Sequence, residues 1–82
     1  MWDALEEDPA SAANLRLRSE LMMALRQLVE GWEITQAAAA QRLATTQPRL
    51  NDLLRGRIGK FSLDALIVFA VRAGLSPQLK LA

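Results

Sequence analysis

The residues able to do chemistry crowd into one short stretch. Between Gln47 and Lys60 stand the carboxamides Gln47 and Asn51, the carboxylate Asp52 and the cations Arg49, Arg55, Arg57 and Lys60. A carboxamide offers donors and an acceptor in one plane, and a guanidinium offers a fixed fork of donors. Such groups read hydrogen-bonding edges and neutralise anions; alone they do not break bonds. The remaining sequence adds no reactive partner. There is no cysteine, histidine or tyrosine, so a thiolate, the usual proton shuttle and the commonest metal ligand are all missing. The carboxylates show no spacing suited to acid–base work. Neither an enzyme, nor a metal site, nor a bound cofactor is expected. The chemistry on offer is recognition.

The net charge of +1 says little, but its distribution is uneven. Residues 1–8 carry Asp3, Glu6, Glu7 and Asp8 with no cation, whereas residues 42–60 carry Arg42, Arg49, Arg55, Arg57 and Lys60 against Asp52 alone. A basic second half suits a phosphate-facing patch, and it equally suits an ordinary solvated face. The acidic opening is either a frayed terminus or, through Trp2 and Leu5, a segment that docks on a partner. It is unlike the basic start of a secretory signal, and no apolar run approaches the roughly 20 residues of a membrane span. A cytoplasmic location with no membrane contact is expected. The 82 residues are expected to make one domain, with an acidic segment at 1–8 and a tail at 75–82. A chain of this size buries a modest share of its surface, so subunit contacts matter to it.

Helices must position these groups. Pro9 suits a first helical turn, and Leu17, Leu21, Leu25, Leu28 and Trp32 then recur at spacings of four, four, three and four up to a break at Gly31. Met22, Met23 and Trp32 read as core filling. Thr35 can cap a helix opening at Gln36 and rich in alanine, and Thr46 can cap the next, which has Pro48 in its first turn and Gly56 at its end. Arg57–Lys60 reads as a basic loop. Ser62 caps a last helix ending at Gly74, with Phe61 stapled onto Leu66 and a core face of Leu63, Leu66, Ile67 and Ala70. Val68, Phe69 and Val71 leave that helix apolar on a further face, a surface for a second subunit. Gln78–Leu81 alternates and is compatible with a short strand whose length Pro77 limits, and Leu79 and Leu81 on it are the other candidate for the subunit contact.

Two short helices joined by a three-residue turn make a helix-turn-helix over residues 35–56. Ala40 is small enough for the helices to cross closely, while Leu43, Leu50 and Leu53 form the wedge that fixes their angle. The opposite face of the second helix then carries Pro48, Arg49, Asn51, Asp52 and Arg55, with Gln47 at its exposed tip. A major groove admits one helix, read by side chains near its N-terminus.

The stretch from Ile34 to Gly56, with its Thr-Gln, Thr-Gln-Pro-Arg and Leu-Leu-Arg-Gly elements, resembles the Xre family of lambda-repressor-like regulators. Ala13–Met22 and Gly59–Leu66 are similar to the HigA-type antitoxin subgroup. The resemblance implies an all-α fold, a compact bundle of about five helices. It implies a sequence-specific regulator that binds double-stranded DNA as a homodimer on a pseudo-palindromic operator, an autoregulating antitoxin-like repressor. The alternative is an interaction domain that neutralises a partner toxin with little DNA binding of its own. By the same resemblance Gln47, Pro48, Arg49, Asn51 and Asp52 face bases, and Gln36, Thr46, Arg55, Arg57 and Lys60 hold phosphates. Gln47 can pair with adenine; Arg49 goes to guanine or to phosphate; Asp52 accepts from a cytosine amine or rejects wrong sequences. The chain departs from the family at Ala44, where glycine is usual, and at Thr45, where an aliphatic residue is usual. If the turn needs positive φ at Ala44, alanine strains it by about 1 kcal/mol.

Overall fold

The computed structural model describes residues 8–77. Four α-helices follow one another: α1 (Pro9–Gly31), α2 (Gln36–Arg42), α3 (Gln47–Leu54) and α4 (Leu63–Arg72), with a 3-10 turn at Ile58–Lys60 before α4. Each start has a local cause. Asp8 Oδ1 accepts from the Ala10 amide ahead of Pro9, and the hydroxyls of Thr35, Thr46 and Ser62 accept from the amides of Ala38, Arg49 and Ala65. Each cap satisfies an amide that the helix itself leaves unpaired.

The last three helices share one ending. In α2, Thr45 N–H donates to Ala40 O and Ala44 N–H to Gln41 O; in α3, Arg57 donates to Asp52 O and Gly56 to Leu53 O; in α4, Leu75 donates to Ala70 O and Gly74 to Val71 O. These paired bonds define the Schellman ending, which needs a left-handed residue just beyond the cap. Gly56 (φ 74°) and Gly74 (φ 92°) take that conformation freely, whereas Ala44 (φ 56°) takes it with a Cβ. The conditional strain read at Ala44 is therefore present. Arg72 of α4 reaches across to this turn, its Nη1 donating to Leu43 O at 3.1 Å and to Ala44 O at 3.4 Å.

The core joins Met22, Leu25 and Val29 of α1 to Ala39, Ala40 and Leu43, to Leu50 and Leu53, and to Phe61, Leu66, Phe69 and Ala70. Helix α4 packs along α1, and α2 packs on α3. Several expectations are corrected. The described residues hold four α-helices rather than about five, and the expected loop at Arg57–Lys60 is wound into the 3-10 turn. Met23 is exposed, because the buried face of α1 runs through Met22, Leu25 and Val29 at spacings of three and four, about 100° away from Met23. On α4, Phe69 is core, while Leu63 is half-buried and Ile67 exposed. Phe69 is drawn inward by an edge-on contact with Phe61, ring centres 6.1 Å apart at 68°, which turns the buried face toward Leu66, Phe69 and Ala70. The apolar surface expected at Val68, Phe69 and Val71 therefore keeps only its two valines. The possible strand at Gln78–Leu81 and the docking segment at Trp2 and Leu5 lie outside the described residues.

Ala44→Gly should stabilise the fold by about 1 kcal/mol, since it relieves the left-handed Cβ without touching a packed side chain. Urea denaturation measures this, and a lower midpoint would show that the alanine methyl is stabilising.

Candidate nucleic-acid interface

Helix α3 is only eight residues long, about 12 Å, so its presentation depends on what holds it. Its inner face is Leu50 and Leu53, each 1% exposed, set against Leu43, which caps α2, and Ala40 within α2, at 0% and 3%. The crossing is thus made by the residues whose size and spacing indicated it. The outer face carries the polar set. Gln47 and Pro48 are exposed at the first turn, Asn51 is half-buried, and Arg55 is exposed at the cap. Thr46 is occupied in capping through the Arg49 amide at 3.2 Å, and Gln36 is exposed at the start of α2.

Four of the polar residues meet around the 3-10 turn. The Arg49 guanidinium lies 4.3 Å above the Phe61 ring and donates through Nη1 to Lys60 O at 2.9 Å. A cation over an aromatic face with a charge-assisted hydrogen bond at its edge is a stable seat. Arg49 must leave it to pair with a base. Asp52 sits between two cations, Oδ1 3.6 Å from Arg57 Nη1 and Oδ2 3.7 Å from Lys60 Nζ. Asp52 is the less accessible partner, its side chain 21% exposed against 47% for Arg57 and 56% for Lys60. Gln47 and Arg55 lie on the same helix but enter neither cluster through any bond among the described residues.

Three further residues support the site without a signal in the sequence pattern. Arg18 of α1 donates through Nη1 to Ile58 O and to Phe61 O, both at 3.3 Å, while its Nε is fixed by Asn14 at 2.7 Å. It thereby ties the turn to a helix forty residues earlier. Arg72 ties the α2–α3 turn to α4, and Phe61 is the platform under Arg49. Only the pairing of Asn14 with Arg18, four residues apart on one helix, is a local feature. The other contacts join distant positions and leave no periodic trace.

A family described as a helix-turn-helix domain matches residues 4–81, nearly the whole length of the chain. The chain belongs to that family. A comparison with curated proteins finds no match. Within that domain α2 and α3 are two short helices joined through residues 43–46, an arrangement compatible with a helix-turn-helix. Among the described residues no helix is long and apolar enough to cross a membrane.

Arg49→Lys keeps the charge but loses the planar stack and the forked donor. It should lower stability by about 0.5–1 kcal/mol. Thermal unfolding of the two proteins tests this, and identical midpoints would mean that the Phe61 seat contributes nothing.

Proposed function

We propose that this helix-turn-helix protein is a DNA-binding transcriptional regulator that lays α3 in the major groove. The observation that carries this reading is the outer face of α3. It is polar along its length and open at Gln47, Pro48 and Arg55, and its inner face is locked by Leu50 and Leu53. In this reading Gln47 is the foremost base-reading residue, since it stands exposed at the helix tip, with Pro48, Asn51 and Asp52 beside it. Arg49 joins them on leaving Phe61; in its seat it braces α3 against the turn. Thr46, Gln36, Arg55, Arg57 and Lys60 contact phosphates, which give affinity without sequence information.

One α3 spans few base pairs, so two copies are proposed to bind a pseudo-palindrome with their reading helices about 34–36 Å apart. The exposed Val68 and Val71, with Ile67 now beside them, are the surface offered for that pairing. The finer reading is an autoregulating, antitoxin-like repressor acting in the cytoplasm, which the similarity at Ala13–Met22 and Gly59–Leu66 supports. A second reading, neutralisation of a partner protein, is favoured by the groove between α1 and α4 where Leu17, Leu21, Leu63 and Ile67 lie.

The test is a titration of the purified protein against a fragment of its own upstream DNA and a scrambled fragment, each at two salt concentrations. A preference of about a thousandfold for the native fragment is expected. Gln47→Ala should cost roughly 1–3 kcal/mol on that fragment alone. Arg57→Ala should weaken both fragments alike and flatten the salt slope by about one. Identical behaviour of the two variants would overturn the division of roles, and absence of any DNA binding would overturn the reading itself.

A further inference from the structure

Asp52 stands where helix electrostatics disfavour it. It lies in the last turn of α3, close to the negative end of the helix dipole, and a carboxylate there is repelled. Its main chain serves the helix ending, since Asp52 O accepts from the Arg57 amide at 3.1 Å. Any residue supplies that carbonyl. The side chain does something else: one oxygen faces Arg57 Nη1 at 3.6 Å and the other faces Lys60 Nζ at 3.7 Å. A single carboxylate thus bridges the two cations that flank the C-terminal end of the reading helix. The backbone bond from Arg57 to Asp52 holds the first pair together, and the 3-10 turn, clamped by Arg18 and Arg49, carries the second.

We infer that Asp52 is a specificity-determining residue that acts as a built-in phosphate surrogate, discharging Arg57 and Lys60 until a DNA phosphate displaces it. This rests on the DNA-binding reading above. A phosphate oxygen and a carboxylate oxygen present the same charge and the same acceptor to a guanidinium or an ammonium. With Asp52 in place the three side chains sum to one positive charge; without it they sum to two. Both separations exceed the 2.7–2.9 Å typical of a tight charge-assisted bond, so the pairs are loose, and their cations are about half exposed. A loose pair can be exchanged for phosphate, at a modest cost that every duplex must meet. A cognate site recovers the cost because the released Asp52 carboxylate accepts there from a cytosine amine, whereas at most random sequences it finds no donor. The carboxylate therefore weakens non-specific binding more than specific binding, and so widens the ratio between them.

The experiment uses the full chain, its Asp52→Asn variant and a random-sequence duplex of about 30 base pairs, followed by fluorescence anisotropy across a salt series. Asparagine keeps the side-chain shape and the helix ending while removing the charge. The variant should bind random DNA about three- to tenfold more tightly, a size set by two loose, partly exposed ion pairs. Its slope of log affinity against log salt should steepen by about one. Adding Arg57→Gln to Asp52→Asn should cancel a large part of the gain, because the freed cation is then absent. Unchanged affinity and slope in Asp52→Asn, with both proteins binding DNA, would overturn this inference alone, as would weaker binding by the variant. Failure of both proteins to bind any duplex would overturn the DNA-binding reading and this inference with it.

Discussion

The crossing of α2 and α3 rests on Ala40, whose small methyl side chain lets the helices approach, and on Leu43, Leu50 and Leu53, which wedge them at one angle. All four are 3% exposed or less, so a change in the volume of any one would rotate α3 or leave a cavity beneath it. Everything polar on α3 depends on that angle. Eight residues make too short a helix to be stable alone, and its outer face is presented only because its inner face is buried.

The turn between these helices is the weakest local element and the most heavily supported. Ala44 holds a left-handed conformation that Gly56 and Gly74 adopt at the equivalent places after α3 and α4. The strain persists because the surroundings over-determine it: two backbone bonds close the turn and Arg72 binds two of its carbonyls. Arg18 does the same for the 3-10 turn from the opposite end of the chain. Arg18 on α1 and Arg72 at the end of α4 are therefore structural, and the turns they clamp flank α3 on either side.

What could be read from the sequence follows from distance along the chain. Thr35, Thr46 and Ser62 were legible as caps because a cap joins residues three apart, and the wedge was legible because its leucines recur at helical spacing. The family match spans residues 4–81 and shows the coarser part of the resemblance, a helix-turn-helix domain. Phe69 was misread as surface because α4 is apolar nearly all round, so its pattern leaves the buried face undecided; the Phe61 ring decides it. The Arg49 seat on Phe61 and the Arg18 and Arg72 clamps were invisible for a related reason. Each joins side chains whose proximity exists only after folding. The polar face of α3 was thus located from sequence, while the internal pairings of its charges were not.

Those pairings give the face a particular character. In the free protein Arg49 and Asp52 are engaged with neighbours, whereas Gln47 at the tip is exposed. Engagement with a duplex would begin at the tip and spread as the paired charges exchange partners. The measurement that tests this most directly is amide chemical-shift mapping of the 15N-labelled protein titrated with its upstream DNA fragment. The largest changes are expected over residues 46–60, with the Arg49 side-chain signal moving as the guanidinium leaves Phe61. Changes concentrated instead on α1 and α4 around Leu17, Leu21 and Ile67, with α3 silent, would contradict it.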